Sequence, residues 1–391
     1  MPRSKGCHGG ESRFRPVATG EWEMEKEASR ERPMRVLIAA GGTGGHIFPA
    51  TVFGRWIEAH RGASVSYLSG ARPLEEEIYK AQGIAPHKLS LEGSPLGVRS
   101  PVRILRRFLG LLKSMGETVR CLARTRPEVC FLFGGYVSFP PLLLCKVKKI
   151  PVVIHEQNAV AGRVTRLASR MGASVASGWS ECLGVRKPFS HVGIPVRPPG
   201  RVPRLDALHS LGLNCTAEGT WVGVIGGSLG SRSLVEKALL AAASFEKRGI
   251  DVKFLFLGEQ PDGPLPQNVH FVGRRWDMNP FYSLCDVLAC RAGGSTLAEA
   301  MAWGIPAVAV PWEGAAEGHQ ERNARCFAES GGGIVWRESG DGSLEDAIER
   351  LFSEGRRSSL KKPKDCVCPL LWSLIHPQRG AESGLGQIPL I

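Results

Sequence analysis

Apolar and polar positions along this chain repeat one arrangement: a short apolar run, a glycine-rich turn, then a segment of helical period. It occurs at residues 36–45, 129–135, 222–230 and 287–294. Further apolar runs at 65–68, 152–155, 252–257 and 307–310 have the length of buried strands. Strands alternating with helices predict parallel α/β sheets. Residues 193–203 hold four prolines and split the series in two. The expected architecture is therefore α/β, with an N-terminal doubly wound domain at 34–195, a linker at 196–203 and a second doubly wound domain at 204–355. A ligand cleft should lie between the two.

Both ends depart from this pattern. Residues 1–33 are polar, charged and aperiodic, which predicts either a disordered extension or translation from an upstream start with Met34 as the natural beginning. Residues 356–391 are interrupted by Pro and Gly and read as neither a strand series nor a closing helix. A shifted reading frame would produce such a tail.

Composition narrows the class. The 391 residues are 43% hydrophobic and 22% charged, enough for two domains with large cores. No apolar run approaches the roughly 18–20 residues that span a bilayer, and no secretory apolar region opens the chain. The 11 cysteines are scattered singly, apart from Cys366 and Cys368, which points to a reducing compartment. A collagen, a coiled coil, a membrane-spanning protein and a disulfide-rich secreted domain are all excluded. Charge then separates the halves. Residues 34–197 carry 23 basic against 9 acidic residues, whereas residues 198–355 carry 14 against 20. The basic half suits a polyanionic partner such as nucleic acid, anionic lipid or a phosphorylated substrate. A generally basic proteome is the plainer alternative.

The chemistry sits in the turns. Gly41, Gly42, Thr43, Gly44, Gly45 and His46 follow a strand and open a helix, a geometry that admits an anion to backbone N–H groups and the helix dipole. The dinucleotide fingerprint fails here, because Ile47 holds its third glycine position and no acid follows the second strand. His46, at the mouth of this loop, is a candidate for catalysis or ligand contact. Gly134 to Ser138 form a second loop, and His155, Glu156, Gln157 and Asn158 end a third strand. Gly226, Gly227, Ser228, Leu229 and Gly230 match the nucleophile elbow of serine hydrolases, with Asp277, Asp286 and His319 as conceivable partners. A phosphate cradle using the Ser228 hydroxyl explains all the glycine loops together, which the hydrolase reading does not. A fourth loop runs from Arg291 to Glu299, where a carboxylate early in a helix can accept from two ribose hydroxyls. Residues 319–324 cluster imidazole and amide groups suited to a sugar. No convincing metal-ligand spacing occurs.

Residues 102–124 read as a basic amphipathic helix. Val102, Leu105, Leu109, Leu112 and Val119 share one face, widened by Ile104, Phe108 and Leu111. Arg103, Arg106, Arg107, Lys113, Arg120 and Arg124 lie on and around the other. Such a helix suits an anionic membrane surface, each basic residue adding about 1 kcal/mol. A core-packed helix with a solvated basic face would show the same pattern.

Taken in order, the loops at 41–46, 134–138, 155–158, 193–197, 226–230, 291–299 and 319–324 resemble the MurG family of peptidoglycan N-acetylglucosaminyltransferases, over about 34–351. The resemblance implies the GT-B fold, two Rossmann-like domains facing a cleft. It implies inverting transfer of N-acetylglucosamine from UDP-N-acetylglucosamine to the muramoyl 4-hydroxyl of undecaprenyl-diphospho-muramoyl-pentapeptide (lipid I), giving lipid II. No cofactor, bound metal or nucleic acid is implied. The family works peripherally at the cytoplasmic membrane face, touching it with the region matching 99–124. By the same resemblance Thr43, Gly44, Gly45 and Asn158 would line the donor sugar. Arg197 and Ser228 would meet the donor diphosphate. Gly294, Ser295, Thr296, Leu297, Ala298 and Glu299 would hold the nucleoside, and Gln320 the N-acetylglucosamine. The N-terminal loops would also cradle the acceptor diphosphate, with His46 as general base. Rival readings are another UDP-sugar transferase acting on a glycolipid, and a serine esterase using Ser228. The family's chain ends in a helix that crosses back to the N-terminal domain, and no such helix is expected here.

Overall fold

The computed structural model describes residues 32–91, 93, 101–186, 188–227, 230–353 and 367–375. Seven parallel strands make a first sheet: β1 (Arg35–Ala39), β2 (Ser64–Ser69), β3 (His87–Lys88), β4 (Val129–Leu132), β5 (Val152–Glu156), β6 (Ser174–Ser177) and β7 (Ser190–His191). Six more make a second: β8 (Thr220–Ile225), β9 (Val252–Leu257), β10 (Val269–Phe271), β11 (Val287–Arg291), β12 (Ala307–Val310) and β13 (Gly333–Val335). The orders are β3-β2-β1-β4-β5-β6-β7 and β10-β9-β8-β11-β12-β13. In each, the chain winds outward one way, returns to the middle and winds out the other way. The crevices beside β1 and β4, and beside β8 and β11, are therefore switch points, where open α/β sheets bind ligands.

The strands are central because both faces can be buried. β4 reads Val-Cys-Phe-Leu and β12 reads Ala-Val-Ala-Val, and every residue of both is buried. The Gly44–Arg61 helix covers β1 and β4 by burying Ile47, Ala50, Phe53 and Ile57, and the Phe53 ring meets Phe131 edge-on at 4.7 Å. In the second sheet, Ala238, Ala241, Ala242 and Phe245 of the Arg232–Lys247 helix lie against Phe254 and Phe256. Residues 196–203 form no helix or strand, and are fastened to the second unit where Val202 N–H donates to Ser283 Oγ at 3.1 Å.

One expectation changes. Within the 356–391 tail, Val367–Ser373 is a helix. Leu371 and Ile375 are buried in the core of the first sheet, and Trp372 stacks on Phe131 with centroids 6.3 Å apart. Cys368, Leu371, Trp372 and Ile375 have helical spacing, which Pro369 and the brevity of the segment conceal. The chain therefore does return to the N-terminal domain. The extension expected at 1–33 lies, except for Arg32 and Pro33, outside the described residues.

The Pro101–Thr125 helix is not core-packed along its first turns. It buries Ser114, Thr118, Cys121 and Leu122 toward the sheet. Leu105 is 60% exposed, Leu109 56% and Leu112 55%, with Val102, Ile104 and Phe108 also exposed. Residues 99–100 lie outside the described residues. No helix among the described residues is long and apolar enough to cross a membrane.

Candidate active site

The cleft is lined by loops at the carboxyl ends of β1, β4 and β5 on one side and β8, β11 and β12 on the other. The two sides touch at helix starts. Ser295 Oγ, at the start of the Gly294–Trp303 helix, donates to the Gly45 carbonyl at 2.7 Å. Gly294 stands so close to the Gln157 carbonyl that a Cβ there would overlap it, which explains the glycine. Thr43 precedes the Gly44–Arg61 helix in extended conformation. Thr43, Gly44, Gly45, Gly294 and Ser295 thus gather at one place. Thr296 follows them, while Leu297 and Ala298 are buried in the second core.

His46 lies half-buried over Gly134 and Gly135 of the second loop. Its Nδ1 is 2.7 Å from Gln157 Oε1. Gln157 Nε2 is 2.9 Å from His155 Nδ1, and His155 Nε2 is 2.7 Å from the Gly193 carbonyl. His155 is fully buried, and burial holds its imidazole down to about 4.

Buried carboxylates shape the loops around it. Glu75 accepts from Gly42 N–H, from the Tyr136 hydroxyl at 2.6 Å and from Arg72 N–H at 3.1 Å. Gly42 N–H is therefore engaged within the protein. Glu156 accepts from Asn158 N–H and Nδ2 at 3.1 Å each and from Gly162 N–H at 3.0 Å. Asn158 Oδ1 accepts from Asn323 Nδ2 at 3.0 Å, while Asn323 Oδ1 accepts from Ala159 N–H at 2.8 Å. Asn323 also donates to the Ala292 carbonyl at 3.0 Å. One buried amide thus ties the loop after β5 to the loop after β11.

On the opposite side Arg197 packs on one aromatic ring. Its guanidinium stands 5.0 Å over Phe48 and donates to the Trp276 carbonyl at 2.6 Å. Glu299 accepts from the Tyr282 hydroxyl at 2.7 Å. Burial raises the Glu299 carboxyl, while that hydroxyl and Arg197 pull it back. Gln320 Oε1 accepts from Trp312 N–H at 2.9 Å, holding a half-exposed indole beside it. Ser228 lies outside the described residues.

Glu75 and Arg291 carry no assigned role in the sequence reading, while Gln157 and Asn323 lie in its polar clusters but bond within the protein. Glu75 sits in a run of three glutamates that resembles a solvated helix start. Arg291 is buried, pairs with Glu338 at 2.6 Å, and donates to Ser231 Oγ at 2.8 Å and Ser233 Oγ at 2.7 Å. A charge directly ending an apolar strand is its only sequence signal. The hydrolase triad finds no support. Asp286 stands before β11, at the opposite end of the strand from the glycine loops, paired with Arg204 at 2.6 Å and accepting from Trp221 N–H at 3.0 Å. Asp277 accepts from Asn279 N–H at 3.1 Å.

Two parallel doubly wound units meeting at glycine-loop helix starts define a GT-B glycosyltransferase. The glycosyltransferase family 28 N-terminal domain model matches residues 36–177, and the family 28 C-terminal domain model matches residues 221–367. A UDP-N-acetylglucosamine--N-acetylmuramyl-(pentapeptide) pyrophosphoryl-undecaprenol N-acetylglucosamine transferase of Desulforudis audaxviator is 32% identical over 345 residues, covering 83% of this chain and 91% of that protein. One of the same name from Alkalilimnicola ehrlichii is 33% identical over 319 residues, covering 78% and 86%. The fold is similar to a crystal structure of Acinetobacter baumannii MurG, with 24% identity, TM-score 0.61, and 88% of this chain and 99% of that one covered. The chain belongs to the MurG family of N-acetylglucosamine transferases within glycosyltransferase family 28.

Proposed function

We propose that this glycosyltransferase moves N-acetylglucosamine from UDP-N-acetylglucosamine to the muramoyl 4-hydroxyl of undecaprenyl-diphospho-N-acetylmuramoyl-pentapeptide. The observation that carries the reading is the placement of His46. An imidazole with one engaged nitrogen stands where the start of the Gly294–Trp303 helix meets the Gly45 loop. In the reaction the acceptor oxygen attacks the anomeric carbon from the face opposite UDP. The new C–O bond forms as the bond to the diphosphate oxygen breaks, and His46 takes the hydroxyl proton. Arg197 and the helix N-terminus at Gly294 stabilise the charge collecting on departing UDP. Glu299 holds the ribose hydroxyls, and Thr43, Gly44, Gly45, Asn158 and Gln320 orient the sugar. Ser228 meets the diphosphate, as it does in the family pattern.

The acceptor carries a lipid, and the Pro101–Thr125 helix offers a surface for it. Its exposed Leu105, Phe108, Leu109 and Leu112 would enter the lipid boundary while neighbouring basic side chains meet anionic headgroups. The protein then works as a peripheral enzyme at the cytoplasmic membrane face.

The test is UDP release from UDP-N-acetylglucosamine with and without a lipid I analogue, with UDP-N-acetylgalactosamine and a diacylglycerol acceptor run beside it. Release that requires the lipid I analogue and prefers the gluco sugar is expected. Equal turnover with the diacylglycerol acceptor would replace this reading with the glycolipid transferase.

A further inference from the structure

We propose that Gln157 and His155 are positioning residues that hold His46 as the Nδ1–H tautomer, leaving Nε2 as its basic nitrogen. The inference rests on the reading of His46 as the base and says which of its nitrogens does the work.

The direction of every hydrogen bond in the chain follows from two backbone carbonyls. The Gly193 carbonyl can only accept, so His155 Nε2, 2.7 Å away, carries the proton. The His155 carbonyl, 3.1 Å from Gln157 Nε2, can also only accept. It pins the amide with its NH2 toward His155 and its oxygen toward His46. The same NH2 donates to His155 Nδ1 at 2.9 Å, which a neutral Nε2–H ring leaves free to accept. Gln157 Oε1 is then an acceptor 2.7 Å from His46 Nδ1, so that nitrogen carries the proton. His46 Nε2 bonds no described residue and keeps its lone pair.

The reverse arrangement needs His155 to donate from both nitrogens. That is a cation in a fully buried site stacked on Phe133 at 5.4 Å, and burial already pushes this imidazole down to about 4. Gly193, at φ +88°, turns the chain so that its carbonyl reaches His155. A side chain at Gly193 would crowd Val367 of the C-terminal helix.

Nitrogen-15 spectra of the protein labelled in its histidine rings test the tautomer without any turnover. A His46→Gln variant identifies the His46 signals. The Nδ1–H form is expected in the wild type. In Gln157→Leu the Nε2–H form should become populated. That variant should lose about 100-fold in kcat, with its UDP-N-acetylglucosamine KM within about twofold. A preserved UDP affinity in each variant shows that it is folded. Finding His46 as Nε2–H in the wild type, or an unchanged tautomer in Gln157→Leu, would overturn the proposal. If the tautomer behaves as stated but His46→Ala turns over normally, the positioning chain stands and the base assignment falls.

Discussion

The two sheets share a strand order around their switch points, and each places a glycine loop and a helix start there, yet they present different chemistry. At the N-terminal switch point, beside loops held by Glu75 and Glu156, imidazoles and an amide are linked from Gly193 through His155 and Gln157 to His46. At the C-terminal one they are ionic: Arg291 braces Ser231, Ser233 and Glu338, and the positive charge of Arg197 pulls down the Glu299 carboxyl that burial raises. A neutral hydrogen-bonded chain can pass a proton preference without moving charge. A buried cation holds a loop rigid beside a polyanion. The comparison teaches that a shared scaffold decides where the ligands go, while the side chains that end β5 and β11 decide what happens to them.

The comparison breaks first at Arg291. Arg291→Met leaves the half-buried Glu338 without its partner and releases two serines. It should cost roughly 3–5 kcal/mol in urea denaturation, whereas His46→Ala should cost less than about 1 kcal/mol. Equal losses would mean that the C-terminal loop is not ionically braced.

Acid should act next, and on the N-terminal side. His155 stays neutral in the fold down to about 4, while the unfolded chain takes up a proton near the ordinary 6.5. Stability is therefore full above that upper value and falls as pH drops toward about 4. The loss attributable to His155 is about 3 kcal/mol. His270, half-buried with its imidazole held down by burial and then by Lys253, acts in the same direction and less. Denaturation midpoints at pH 7.5 and 4.5 measure the sum, and His155→Phe should shrink the difference between them.

Asn323→Ala tests the tie between the two sides. It strands Ala159 N–H and the Ala292 carbonyl and frees Asn158 Oδ1, for a cost of about 2 kcal/mol. The UDP-N-acetylglucosamine KM should rise several-fold because the loops after β5 and β11 lose their common anchor. The smallest effect on stability belongs to the exposed helix. The pair Leu105→Ser and Phe108→Ser should change stability by less than about 0.5 kcal/mol. It should nevertheless weaken sedimentation with anionic vesicles at least about tenfold. Unchanged vesicle binding would move the membrane contact elsewhere.

Most of the architecture is legible in the residues. The apolar runs of β4, β5, β8, β9, β11 and β12 fall where strands form, since central parallel strands must be apolar on both faces. The edges are harder. β3 is His87–Lys88, β7 is Ser190–His191, and neither carries an apolar signal. β6, Ser174–Ser177, hides behind two serines. The glycine loops and His46 are visible because a strand, glycines and a helix start occur in fixed order. Glu75 and Arg291 are not, because their importance lies in partners 33 and 47 positions away. No local pattern encodes such pairs.

The central claim is that the N-terminal side supplies the base and the C-terminal side the grip on UDP. Steady-state kinetics of His46→Ala with a lipid I analogue test it most directly. A fall in kcat of about 100- to 10,000-fold, with the UDP-N-acetylglucosamine KM within about twofold, is the predicted result. Turnover at the wild-type rate, or a loss confined to KM, would contradict it.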